Sequence, residues 1–317
     1  MPFSGIGINE TPDVAPAALE ARLQTLVDLG YDAVEVRLHH AGAPAGSEPV
    51  LFGGRLNRLR VQELAASLDR FPLRRTLHAS TIFPSDPALR AVGVEVADAM
   101  VELGESLDAE VLVVHPGSPG PDATPEVMVG EIARERQVVG SMAWWAADFG
   151  ARIAIENMIG LRSFASDPDA LAEQVERLLD EGHDNLGICL DVGHLALSAT
   201  ARGFDFVTAL RRLAPLVVHT HMSDNFGKPV STAGYSPLEQ MRFGIGDLHL
   251  PIGWGTIPLE DAFGGADFSR GPIFLYELNQ ALRGSLADGV ESGMVTKARH
   301  LIEVNAMNWS AKSTVAS

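Results

Sequence analysis

A closed parallel (β/α)8 barrel, the TIM-barrel architecture, is the fold class that the sequence predicts, and three observations predict it. Short β-branched runs alternate with longer amphipathic ones, and the alternation repeats eight times. Several short runs are apolar almost throughout, VLVVH at 111–115 and RIAIE at 152–156 among them, as suits parallel strands covered on both faces. The length of 317 residues suits one α/β barrel, and eight β/α units in series close into a barrel more readily than they form an open sheet.

Taken in order, the strand candidates are Gly5–Asn9, Ala33–Arg37, Arg75–Ala79, Val111–His115, Ile153–Glu156, Leu186–Asp191, Val217–His221 and Ile273–Glu277. In the first helix candidate Leu19, Leu23, Leu26 and Val27 recur at helical spacing, and Gly30 stands where a helix would stop. Further helix patterns run near Pro87–Leu107, Thr124–Phe149, Asp167–Glu181 and Asp288–Val304. Two connections are long, Leu38 to Asn57 and Met222 to Ile257, the second carrying the run GIGDLHLPIGWGTIP. Loops of such length are usually functional or disordered, and both follow strands, on the face where barrel enzymes place their sites. No linker divides the chain, so one domain is expected over residues 1–309, with 310–317 as a tail.

Composition narrows the partners. An apolar fraction of 46% against 21% charged residues allows a large core. The 24 basic and 41 acidic residues give a net charge of −17. Duplex binding draws much of its affinity from Lys and Arg on phosphates, so nucleic acid is not expected as the main partner. No run approaches the roughly 18 apolar residues of a membrane span, and the opening MPFSGIGINETPD lacks the basic start and apolar run of a signal peptide. The lone Cys189 cannot form an internal disulfide, which makes the cytoplasm the default location.

Six consecutive strand candidates end on a metal-competent side chain: His78, His115, Glu156, Asp191, His221 and Glu277. Barrel closure brings those ends into one ring. A buried carboxylate costs on the order of several kcal/mol unless paired or coordinated, and three converging ones call for a cation. His194 follows Asp191 by three residues in LDVGHL, and Asp247 and His249 form a D-x-H pair. In extended backbone residues two apart point the same way, so one ion could meet both. Mixed histidine and carboxylate donors suit zinc, manganese, cobalt or iron better than calcium. Blander roles fit other residues. His219 reads as a hydrogen-bonding residue, Asp224 as a support for a ligand, and Cys189 as small core packing. Glu35 reads as an interior charge paired with an arginine as readily as a catalytic group. His39, His40, His183 and His300 read as surface histidines, and Arg162, Lys228, Arg242 and Arg283 as solvated charges rather than contacts to an anionic substrate.

At the segments VVHPGS, IAIENM, GICLDVGHL, HTHMSDN, DLHLPIGWGTI and FLYELN, from about Leu77 to Asn279, the chain resembles the xylose-isomerase-like barrel superfamily, which includes the sugar epimerases and endonuclease IV. In the isomerase and epimerase branch the resemblance implies one ion, often manganese, on Glu156, Asp191, His221 and Glu277. The two glutamates would face the substrate from opposite sides as acid and base, and His194 would hold a substrate oxygen. In the endonuclease IV branch it implies three zinc ions. His78, His115 and Glu156 would take the first, Glu156, Asp191, His221 and Glu277 the second, and His194, Asp247 and His249 the third. The chain departs from the DNA-repair pattern in ASTIF after His78, in Leu248 where an arginine is typical, and in IGLRSF after ENM. These departures and the acidic charge weaken the DNA reading more than the metal site. The expectation is a divalent-metal-dependent isomerase or epimerase of a small sugar or related carbonyl or polyol compound, holding one to three zinc or manganese ions. The alternative is an endonuclease-IV-like phosphodiesterase, and a third reading is a barrel that binds a metabolite or partner subunit without catalysis. A homo-oligomer is left open.

Overall fold

The structure, a computed structural model, describes residues 2–11, 14–38, 49–52, 54–79, 83, 89–117, 123–160, 163–279 and 288–315. His39, His40, Arg162 and Arg283 lie outside these residues, as does most of the ASTIF segment. Strand β1 (Gly5–Glu10) leads into helix α1 (Pro16–Leu29). Proline at its start suits α1, because the first turn has no use for the missing N–H. Gly30 ends it at φ 84°, a left-handed geometry in which its N–H reaches the carbonyls of Leu26 and Val27. Strand β2 (Ala33–Leu38) follows, then a short hairpin of β3 (Leu51–Phe52) and β4 (Arg55–Leu56), and α2 (Arg58–Leu68), capped by the Asn57 side chain. The succession continues with β5 (Arg74–Ala79), α3 (Arg90–Ser106), β6 (Val111–Val114), α4 (Pro125–Ala147), β7 (Arg152–Glu156) and α5 (Pro168–Asp180). After β8 (Leu186–Asp191) two helices, α6 (Val192–Arg202) and α7 (Phe206–Leu213), precede β9 (Val217–Met222). Short helices α8 (Pro237–Phe243) and α9 (Leu259–Phe263) lead to β10 (Ile273–Tyr276), and α10 (Asp288–Val315) closes the chain.

Eight of these strands form a closed barrel in the order β1-β10-β9-β8-β7-β6-β5-β2, every pair parallel. The chain is therefore a single (β/α)8 barrel, and the strand bounds agree with the expected ones to within a residue. The expected helix patterns omit α2 and α6 to α9. Residues 192–199 of α6 are all buried, so that helix has no polar stripe from which a period could be read. Helices α8 and α9 are too short to show one, whereas α7 does show it, with Phe206, Ala209, Leu210 and Leu213 buried at helical spacing. Helix α10 runs past Ser310 into the segment set apart as a tail. Among the described residues no helix is long and apolar enough to cross a membrane.

The main apolar core lies between the strands and the surrounding helices, with Leu23, Leu26, Leu77, Met100, Leu103, Leu171 and Phe263 fully or almost fully buried in it. The barrel interior differs. Its apolar side chains form two small groups, one of Val111, Val113, Ala154, Cys189 and Val218, the other of Ala33, Ile273 and Leu275. Cys189 is thus core packing, free and buried. Polar side chains at other interior positions, Glu35, Thr76 and His219 among them, lie beneath the site.

Candidate metal centre

Strand geometry delivers the side chains. Glu156 and Asp191 are the last residues of β7 and β8, His78 and His221 stand one residue from the ends of β5 and β9, and His115 and Glu277 directly follow β6 and β10. Register puts His221 beside Asp191 on one side and Leu275 on the other. Asp191 also caps α6, its Oδ1 accepting the His194 N–H at 2.7 Å. This cap is the physical reason for the three-residue spacing, because it turns the first helical turn and swings His194 over the strand end. A side chain at Gly193 would meet Ser223 Oγ at 2.7 Å, so the turn requires glycine. Asn157 ties β7 to β8: its Nδ2 donates to the Asp191 carbonyl at 2.8 Å and its Oδ1 accepts the Asp191 N–H at 2.7 Å.

The ring closes on His221. Its Nδ1 lies 3.1 Å from Glu277 Oε2, 3.3 Å from Glu156 Oε1 and 4.0 Å from Asp191 Oδ2. All four atoms are buried and lack a hydrogen bond. Metal bonds of about 2.0–2.2 Å place adjacent ligand atoms about 3.0–3.5 Å apart. Two of the three separations fall in that range, and Asp191 Oδ2 stands slightly outside it. The set could therefore hold one divalent ion. Glu156 faces a second group as well, its Oε2 lying 2.8 Å from His115 Nε2 and 3.5 Å from His78 Nε2, and these three residues form another cluster able to hold a metal. A third comprises His194, Asp247 and His249. Asp247 Oδ2 is 3.1 Å from His194 Nε2 and 2.6 Å from His249 Nε2. The structure thus brings all nine expected residues together on the C-terminal face.

Asp247 and His249 meet by a different route from the extended one expected. His249 has φ 46°, a left-handed conformation that costs a non-glycine residue on the order of 1 kcal/mol. It is held there by its Nδ1 near the Glu277 carbonyl at 3.3 Å and by its own carbonyl accepting the Asn279 N–H. Asp224 supports the same loop: its backbone pairs with Leu250, and its carboxylate accepts the N–H groups of Asn225, Gly253 and Ile257. A side chain at Gly255 would come within 2.3 Å of that carboxylate.

One residue differs from its sequence reading, and a second had none. Glu35, fully buried, pairs with histidines and not with an arginine: its Oε2 lies 3.0 Å from His219 Nε2 and 3.2 Å from His221 Nε2. His219 is the hydrogen-bonding residue expected. Arg37, unremarked in the sequence, places Nη1 2.7 Å from Glu277 Oε1. Its position at the end of β2 was the available signal, since it extends the ring of strand ends by one.

Proton affinities register this crowding. Burial pushes the Glu156 carboxyl up, but His115 and His221 outweigh it and hold the group well below the usual range. The same contest, with His221, His249 and Arg37 as the cations, lowers Glu277. Asp191 goes the other way. Burial raises it to about 6, with Glu156, Asp247 and Glu277 adding to the rise against His194. Burial lowers His249, but Asp247 and Glu277 lift it to about 9, and neighbouring carboxylates likewise hold His194 and His221 well above their ordinary value. Imidazolium ions thus balance the carboxylates, and a bound cation would displace those protons.

The match to known proteins agrees with this architecture. A model of the xylose isomerase-like TIM barrel matches residues 23–291. The uncharacterized protein MJ1311 of Methanocaldococcus jannaschii is 29% identical over 211 residues, 64% of this chain and 63% of that protein, so less than two thirds of the relative's length is spanned. Among solved structures, the IOLI protein with a bound zinc atom superposes with a TM-score of 0.65 at 15% identity, covering 96% of this chain and 99% of that one. A D-psicose 3-epimerase crystallised with D-fructose gives 0.64 at 16%, covering 94% and 99%. Endonuclease IV from Thermus thermophilus gives 0.58 at 18%, covering 95% and 99%. At these identities the superpositions show a shared fold alone, while the family match spans most of the sequence. The chain belongs to the xylose isomerase-like TIM barrel family.

Proposed function

We propose that this protein is a divalent-metal-dependent isomerase or epimerase of a small sugar or a related polyol or carbonyl compound, with zinc or manganese as its ion. The observation that carries the reading is the pair of buried glutamates, Glu156 and Glu277, that face the same His221 nitrogen with oxygens lacking hydrogen bonds. Glu156, Asp191, His221 and Glu277 would hold the ion, whose contribution when bound is to polarise substrate oxygens and lower the barrier to losing a proton from the adjacent carbon. Glu156 is the stronger proton carrier of the two. Its Oε2 lies 2.8 Å from His115 Nε2, and the His115 side chain is 19% exposed, which gives a proton a path towards solvent. Glu277 has Oε1 engaged by Arg37, a charge-assisted contact that weakens a carboxylate as a base. It would serve as the second acid–base group on the opposite side of the substrate. His194 would hold a substrate oxygen. The epimerase among the structural relatives supports a sugar as substrate, and Cys189, the sole cysteine and buried, supports a reducing, cytoplasmic location.

One observation favours a second reading. The His78–His115–Glu156 and His194–Asp247–His249 clusters are assembled as closely as the first set, as a multinuclear phosphodiesterase of the endonuclease IV kind would require. Against it stand Leu248 in the D-x-H turn and the −17 charge. Elemental analysis joined to solvent exchange separates the two. One transition-metal ion per chain, with deuterium entering a ketose or aldose from heavy water, is the expected result. Three ions per chain with cleavage of an abasic duplex would reverse the ranking. Neither metal nor exchange with any sugar, in protein grown in metal-supplemented medium, would overturn the proposal.

A further inference from the structure

We propose that Glu35 is a positioning residue that sets the orientation and tautomer of two histidines belonging to two different metal-competent clusters. The inference rests on the reading of His78 and His221 as ligands but not on the reaction assigned to the site. Glu35 occupies the middle of β2, in register with Thr76 on β5 and Asn9 on β1, so its carboxylate lies one layer beneath the ring of strand ends. Its Oε2 accepts from Thr76 Oγ1 at 3.3 Å and meets His219 Nε2 at 3.0 Å. His221 Nε2 lies 3.2 Å from both carboxylate oxygens. Oε1 faces His78 Nδ1 at 3.5 Å, and neither of those two atoms has a hydrogen bond elsewhere.

An ionised carboxylate can only accept, so each imidazole nitrogen that faces it carries a hydrogen. In neutral imidazole the other nitrogen then presents its lone pair. For His221 that nitrogen is Nδ1, which faces Glu156, Asp191 and Glu277. For His78 it is Nε2, which faces His115 and Glu156. One buried carboxylate therefore turns the lone pairs of two rings upward, each towards a different cluster. Partners of this kind fix a ligating histidine's tautomer and ring angle, and their loss commonly weakens metal affinity about 10- to 100-fold.

The Glu35→Gln substitution tests this selectively. Its amide offers one acceptor oxygen and one donor NH2 group where three imidazole nitrogens require acceptors. At least one of the three rings must then turn its lone pair towards the amide, and where that ring is His221 or His78 its hydrogen points up into the site. With zinc alone as the probe, calorimetric titration is expected to show affinity reduced about 10- to 100-fold. Equal zinc affinity in parent and variant would overturn the inference. Failure of the parent to bind zinc would instead remove the metal reading on which it depends.

A measurement on the zinc-loaded parent decides the matter even where the variant does not fold. Nitrogen-15 spectra of the histidine rings should show His221 bound through Nδ1 with hydrogen on Nε2. They should show His78 with hydrogen on Nδ1. Zinc on His221 Nε2, or hydrogen on His78 Nε2, would overturn the inference.

Discussion

Replacing Asp191 by asparagine should change the protein's thermal stability in opposite directions with and without metal. The carboxyl is fully buried, and its Oδ1 caps α6 at the His194 N–H while Oδ2 has no hydrogen bond. Asparagine keeps an oxygen for the cap and removes the charge. In the metal-free protein burial and the neighbouring carboxylates hold the Asp191 proton at about 6 instead of 3.8. At about 1.4 kcal/mol per tenfold, the ionised form costs the folded state about 3 kcal/mol at pH 8. The folded protein binds this proton more tightly than the unfolded chain. Its contribution is therefore complete below 3.8 and is lost as pH rises through 6, so the cost at pH 5 is about half that at pH 8. A chain of this length gains about 1.5 °C in melting temperature per kcal/mol. Asp191→Asn in chelator should thus melt about 4 °C above the parent at pH 8, and about half that margin above it at pH 5. Zinc at about 1,000 times its dissociation constant adds about 4 kcal/mol, or about 6 °C, to a protein that binds it. The parent gains that and the variant, short of one ligand, gains much less, so the order inverts. Differential scanning calorimetry at the two pH values, with chelator or with zinc, reads all four numbers. A variant that melts no higher than the parent in chelator at pH 8, or that gains equally from zinc, would refute the reasoning.

Other outcomes follow from the same geometry. At saturating metal Glu156→Gln should lose ~10²–10⁴ in turnover, the usual scale for a general acid or base, and Glu277→Gln less, because Arg37 already engages one of its oxygens. His221→Ala should lose bound metal and activity together. Full rescue of both Gln variants by added metal would leave the glutamates as ligands only. Away from the ring, Glu135 on α4 accepts the Gly117 N–H at 2.9 Å, and burial pushes its carboxyl up to about 8. The folded state holds that proton too, so stability should fall as pH rises from about 4.5 through 8, by up to about 5 kcal/mol. Glu135→Gln keeps the acceptor for Gly117 and should flatten this slope in urea titrations at pH 5.5 and 9. An unchanged slope would count against the protonated buried acid.

The strands were legible in the sequence because a strand buried on both faces must be apolar nearly throughout, and a run such as VLVVH has few other uses in a chain of this kind. The strand-end residues were legible for a related reason. A histidine or carboxylate that terminates such a run stands at the barrel rim, and parallel closure puts every rim position on one face. What lies across the barrel was not legible. Alternation gives the face to which a side chain points but not its partner, so Glu35 could be placed inside and still be paired with the wrong residue type. Its three histidines come from β5 and β9, strands distant in sequence, and only closure and register bring them to one carboxylate. Arg37 reaches Glu277 for the same reason, since β2 and β10 flank β1. The D-x-H pair shows a further limit: residue type announced two donors, but the left-handed turn at His249 that joins them is imposed by contacts to Glu277 and Asn279. Local pattern thus determined which residues reach the rim, whereas tertiary closure decided which of them meet, because side-chain distances across a barrel depend on strand order and stagger that no single segment encodes.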